Sequence, residues 1–136
     1  ECASEEDYKD TIPVCRGNRG MVFIGCDGEV APCNQLSGVM RSFKNSWGNV
    51  KKEGLKSLLK DSVYLKYVTA TVGELFEKNK LCGSCGYRKL CLGGCRAIGY
   101  GITRNYFGED FMKCTFFNGG YMDKISEAIE KSGLLV

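Results

Sequence analysis

Histidine is absent from this chain of 136 residues. That excludes a Ser-His-Asp or Cys-His catalytic centre, a Cys2His2 zinc finger and a histidine pH switch. Proline occurs twice, so the turns rest on the 18 glycines instead. An excess of one charge is also missing: 19 Lys and Arg stand against 16 Asp and Glu, for a net charge of +3. That balance is too even for nucleic-acid binding through bulk charge. No apolar run approaches the roughly 20 residues of a membrane-spanning helix. At 43% hydrophobic and 26% charged residues, what remains is an ordinary globular composition, enough for one domain.

What the chain has in abundance is cysteine, with nine residues. Disulfides, zinc and iron–sulfur chemistry are the three readings. Disulfides need an oxidising compartment. The opening Glu1-Cys2-Ala3-Ser4-Glu5-Glu6-Asp7 has no signal-peptide character and no initiator Met. The expectation is therefore a cytoplasmic fragment of a longer protein. The odd count also forbids full pairing within one chain.

The segment from Gly20 to Cys33 reads as a β-hairpin. Val22, Phe23 and Ile24 favour a strand, Asp27-Gly28 a tight type I′ turn, and Pro32 ends the return strand. Helices follow. Leu55, Leu58 and Leu59 share a face, and Asp61 or Ser62 is placed to end that helix and cap the next. Thr71-Val72-Gly73-Glu74 has capping-box spacing, and Met122, Ile125, Ala128 and Ile129 form the apolar face of a last helix stopped by Gly133. Trp47 reads as a core anchor. The fold class is α+β: a hairpin, then helices and cysteine-rich loops.

The sharpest signal is Cys82-Gly83-Ser84-Cys85-Gly86-Tyr87-Arg88-Lys89-Leu90-Cys91-Leu92-Gly93-Gly94-Cys95, spaced C-x2-C-x5-C-x3-C. Paired cysteines two apart wrap one metal centre. The glycines let backbone N–H groups approach sulfur, where they tune a cluster. Arg88, Lys89 and Arg96 either offset the charge of a thiolate-bound cluster or form an ordinary solvated face. Zinc ribbons separate their knuckles more widely, and no block of Lys and Arg accompanies the motif. A cysteine-only zinc module for protein or nucleic-acid interaction stands as the alternative. Tyr100, Tyr106, Phe107, Phe111, Phe116 and Phe117 are expected to shield the metal site near Cys114 from water.

Upstream, Cys15 is followed by twelve residues, Gly28, four residues and Cys33; downstream, Cys114 follows Cys95 after a gap. Seven cysteines and a glycine in this register resemble the SPASM domain. That domain lies C-terminal to the barrel of radical S-adenosylmethionine enzymes and is named for maturases of subtilosin A, pyrroloquinoline quinone, anaerobic sulfatase and mycofactocin. The resemblance runs from Cys15 to Cys114, with residues 115–136 as a helical extension of a single domain spanning 1–136. It implies two auxiliary 4Fe–4S clusters organising the fold: a far one on Cys82, Cys85, Cys91 and Cys114, and a near one on Cys15, Cys33 and Cys95. The near cluster's fourth ligand is open, with Cys2 favoured over Cys26 and a vacant iron site third. It further implies a barrel on the same parent chain, a peptide or protein substrate, electron transfer and substrate docking, and no nucleic-acid or membrane partner. The family's C-x3-C-x2-C motif for S-adenosylmethionine is missing, so this chain alone is not expected to cleave that cofactor. Asn34 stands where the sulfatase branch has a candidate proton acceptor, and an amide is no base; the run Cys91 to Arg96 looks more like the peptide maturases.

Overall fold

The computed structural model describes residues 8–15, 20–60 and 62–133. Two short strands, β1 (Phe23–Ile24) and β2 (Val30–Ala31), pair antiparallel with Phe23 opposite Ala31 and Ile24 opposite Val30. The hairpin is as expected, but its loop is one residue longer. The Gly25 N–H bonds the Glu29 carbonyl, the Gly28 N–H turns back to the Gly25 carbonyl, and only Gly28 has a positive φ (91°). Asp27 is not left-handed, so the loop is a turn followed by a glycine bulge rather than type I′. Freed from that role, the Asp27 carboxylate accepts from the Glu29 N–H and from Arg41. Gly48–Val50 runs along the return strand: Val30 donates to the Gly48 carbonyl and Val50 to that of Gly28.

Nine helices follow among the described residues: α1 (Asn34–Ser42), α2 (Leu55–Leu58), α3 (Ser62–Thr69), α4 (Val72–Lys78), α5 (Lys80–Ser84), α6 (Arg88–Cys91), α7 (Arg96–Thr103), α8 (Phe111–Asn118) and α9 (Tyr121–Ser132). Helix α1 was not anticipated, although Leu36, Val39 and Met40 carry helical spacing. Its cap is unusual, since the Cys33 sulfur accepts the Leu36 N–H where an oxygen is customary. The Thr71–Glu74 capping box forms in full at the start of α4. Gly133 ends α9 with φ 65°. Asp61 lies outside the described residues; Ser62 begins α3.

The core gathers Val14, Val30, Leu36, Met40, Leu58, Val72 and Leu75 around Trp47, whose ring lies edge-on to Tyr64 and tilted against Tyr67. Each fully buried aliphatic side chain here contributes about 1.5–3 kcal/mol. Tyr106 and Phe107 belong to this same core, Tyr106 packing on Tyr67 at 4.4 Å between ring centres. They therefore do not shield the Cys114 region as expected, because the 104–110 loop folds back onto α3. Tyr100 packs on Phe43, and Phe111 is 60% exposed. No described helix is long and apolar enough to cross a membrane.

Candidate metal centre

Helices α5, α6 and α8 place Cys82, Cys85, Cys91 and Cys114 around one cavity of about 310 Å³, closed on the apolar side by Phe76 and Phe117. Local chemistry explains each position. Asn79 caps α5 by accepting the Cys82 N–H, while its amide donates to the Phe107 carbonyl and the Glu109 carboxylate. Gly83 lies so close to α4 that a Cβ there would meet the Phe76 carbonyl oxygen at 2.6 Å. After Cys91 the backbone turns left-handed for three residues: Leu92 (φ 53°), Gly93 (φ 80°) and Gly94 (φ 69°). The Cys91 sulfur accepts the Gly93 N–H, the contact anticipated for a glycine beside a thiolate.

The four thiols feel one another. Burial first, and then the neighbouring Cys114, push the Cys82 thiol up to about 11. Burial also raises Cys91, as does Cys114, and it raises Cys114, as does Cys85. Metal-free, Cys82, Cys91 and Cys114 thus favour the protonated thiol, and a bound cation has to displace the proton. Among the described residues, no three cysteine or carboxylate side chains converge closely enough to chelate a single ion. The sulfurs stand around a space instead of a point. An all-thiol donor set around such a space fits an iron–sulfur cluster, whose natural ligands are thiolates.

The remaining cysteines lie elsewhere. Cys33 caps α1, and the Cys95 thiol stands 3.5 Å from the side-chain Oε1 of Gln35 on that helix, so both lie at its N-terminal end. Cys15 follows Val14, whose N–H bonds the Ala70 carbonyl ahead of α4. Cys26 is exposed at the hairpin tip. Cys2 lies outside the described residues. Cys26, Cys33, Cys82, Cys85, Cys91, Cys95 and Cys114 are free of disulfides.

Of the three expected surface cations, Arg88 is exposed at the cavity rim, donating to the Gly83 carbonyl, and Lys89 is half-buried. Arg96 overturns the expectation of a solvated residue. It is 0% exposed, and its guanidinium donates to the carbonyls of Tyr106 (2.9 Å), Gly108 (2.7 Å) and Gly93. Asn79 and Asp110 were missed in the sequence. Asp110 precedes the apolar run of α8, an N-cap signature that could have flagged it.

Residues 15–86, just over half of the chain, match SPASM, described as an iron–sulfur cluster-binding domain. The chain belongs to this family. Cys91, Cys95 and Cys114 lie beyond the matched residues. An "AdoMet-dependent heme synthase" of Methanosarcina barkeri (strain Fusaro / DSM 804) is 27% identical over 103 residues, which cover 76% of this chain and 26% of that protein. The chain therefore spans about a quarter of the length of this curated relative. No solved structure matches.

Proposed function

We propose that the chain is the auxiliary domain of a radical S-adenosylmethionine enzyme and holds two 4Fe–4S clusters. Cys82, Cys85, Cys91 and Cys114 hold the far cluster. Cys15, Cys33 and Cys95 hold the near one, completed by Cys2 in preference to Cys26. The observation that carries this reading is the ring of four thiols around one cavity in a chain of this family. Bound there, the clusters would supply one-electron chemistry. The chain's own residues do the rest: Phe76 and Phe117 exclude water, the Gly93 N–H bonds the Cys91 sulfur, and Arg88 at the rim offsets anionic charge. The catalytic barrel belongs to the parent chain. The substrate we assign is a peptide or protein, docked beside the barrel and exchanging electrons with the near cluster. The name of the Methanosarcina barkeri relative offers heme synthesis as the competing assignment for the parent.

The test is iron, sulfide and zinc content after anaerobic purification and reconstitution, read with EPR on the reduced protein. About eight irons and eight sulfides per chain are expected. Zinc alone, with no iron uptake and no EPR signal, overturns the reading in favour of a cysteine-only zinc module. Cys2→Ala should remove one iron and Cys26→Ala none; the reverse result exchanges their roles.

A further inference from the structure

Asp110 is 2% exposed, yet no cation lies within ion-pairing distance of it among the described residues. An isolated buried carboxylate costs several kcal/mol unless its oxygens are hydrogen-bonded. Here they are, and to two different segments. Oδ1 accepts the Lys113 N–H (3.1 Å) and so caps α8, the helix that carries Cys114. Oδ2 accepts the Cys95 N–H at 2.7 Å. The Asp110 carbonyl takes the Cys114 N–H itself at 2.9 Å. The approach is tight: a Cβ on Gly94 would lie 2.5–2.8 Å from the Asp110 side chain, and the left-handed φ there also demands glycine. An ordinary N-cap sits at the surface and serves its own helix. The second oxygen of Asp110 instead reaches the cysteine that turns away from the cavity.

We infer that Asp110 is the positioning residue that couples the two thiol groups, one carboxylate fixing Cys95 and the helix of Cys114 in a single register. The inference rests on the ligand assignment proposed above. Ordering of Cys114 at one site then orders Cys95 at the other.

The test compares Asp110→Ala and Asp110→Asn with Asp123→Asn, which removes an exposed charge on α9. Amide hydrogen exchange is read in the purified full-length chain before and after iron loading. In Asp110→Ala, residues 94–96 and 111–114 should exchange faster together, by about tenfold, while Asp123→Asn leaves both unchanged. Cys114→Ala should speed exchange at Cys95 in the native background and add nothing in the Asp110→Ala background. In loaded protein, Asp110→Asn, which loses one acceptor oxygen, should shift the midpoint potentials of both EPR signals together, whereas a bond serving α8 alone would move only one. Loosening confined to α8, or a Cys114→Ala effect on Cys95 that persists without Asp110, overturns the coupling. Should Asp110→Ala fail to fold, the same exchange reading is taken on Asp110→Asn, which keeps one acceptor oxygen. A native chain that takes up no iron defeats the cluster assignment alone, because the exchange result in unloaded protein still decides the coupling.

Discussion

The two groups of cysteines are built by different means. Cys82, Cys85 and Cys91 sit within ten residues, and short helices with their caps and glycine turns bring them to one cavity; only Cys114 arrives from a distance. Cys15, Cys33 and Cys95 belong to three separate segments, and the N-terminal end of α1 is the meeting place of the last two. The first group depends on local backbone chemistry, the second on tertiary packing. Damage to the packing should therefore reach the second group before the first.

The largest expected effect comes from Arg96, which joins the Gly93 turn to the 104–110 loop. Arg96→Met keeps much of the stem but orphans three carbonyls, and should cost roughly 3 kcal/mol or more by urea denaturation. Iron loading should fall at both sites, because α7 begins at Cys95 and the loop leads into α8. Loss confined to the Cys82, Cys85, Cys91 and Cys114 site would break the comparison. Gly94→Ala comes next. It places a Cβ against Asp110 at a left-handed position and should cost about 1–3 kcal/mol in thermal melts. Smallest is Thr71→Ala, which removes the side-chain cap of α4 and leaves every cysteine in place, at about 1 kcal/mol. The Glu74 carboxylate of that box is held below the usual range, first by the Thr71 N–H. Its contribution is thus present above the unfolded glutamate's range and lost as pH falls through the lowered folded value. Glu74→Gln should flatten that acid limb of the stability curve and leave iron content unchanged.

Much of this was legible in the sequence, and the exceptions share a cause. The hairpin, the Thr71 capping box, the final helix with its Gly133 stop and the Trp47 anchor are short-range features, written in turn residues and apolar spacing. Helix α1 was hidden behind a cap that uses sulfur and an interior Gly38. The burial of Arg96 could not be read, because the carbonyls that accept its guanidinium come from residues 93, 106 and 108 only after the chain folds back. The same return carries Tyr106 and Phe107 into the main core and leaves Phe117 as the one expected aromatic lining the thiol cavity. Helix α9 buries none of its side chains; Tyr121 stacks on Phe116, and Met122 and Ile125 face outward.

Cys91 and Cys95 are four residues apart, a spacing that on an unbroken helix would point both sulfurs the same way. The run Leu92-Gly93-Gly94 reverses the hand of the backbone between them, so Cys91 lines the cavity while Cys95 faces α1. Three peptide units thereby act as a divider. They send one thiol to the cavity and the next to the start of α1, and a chain that kept every cysteine but straightened this stretch would turn Cys95 toward the cavity and away from Cys33.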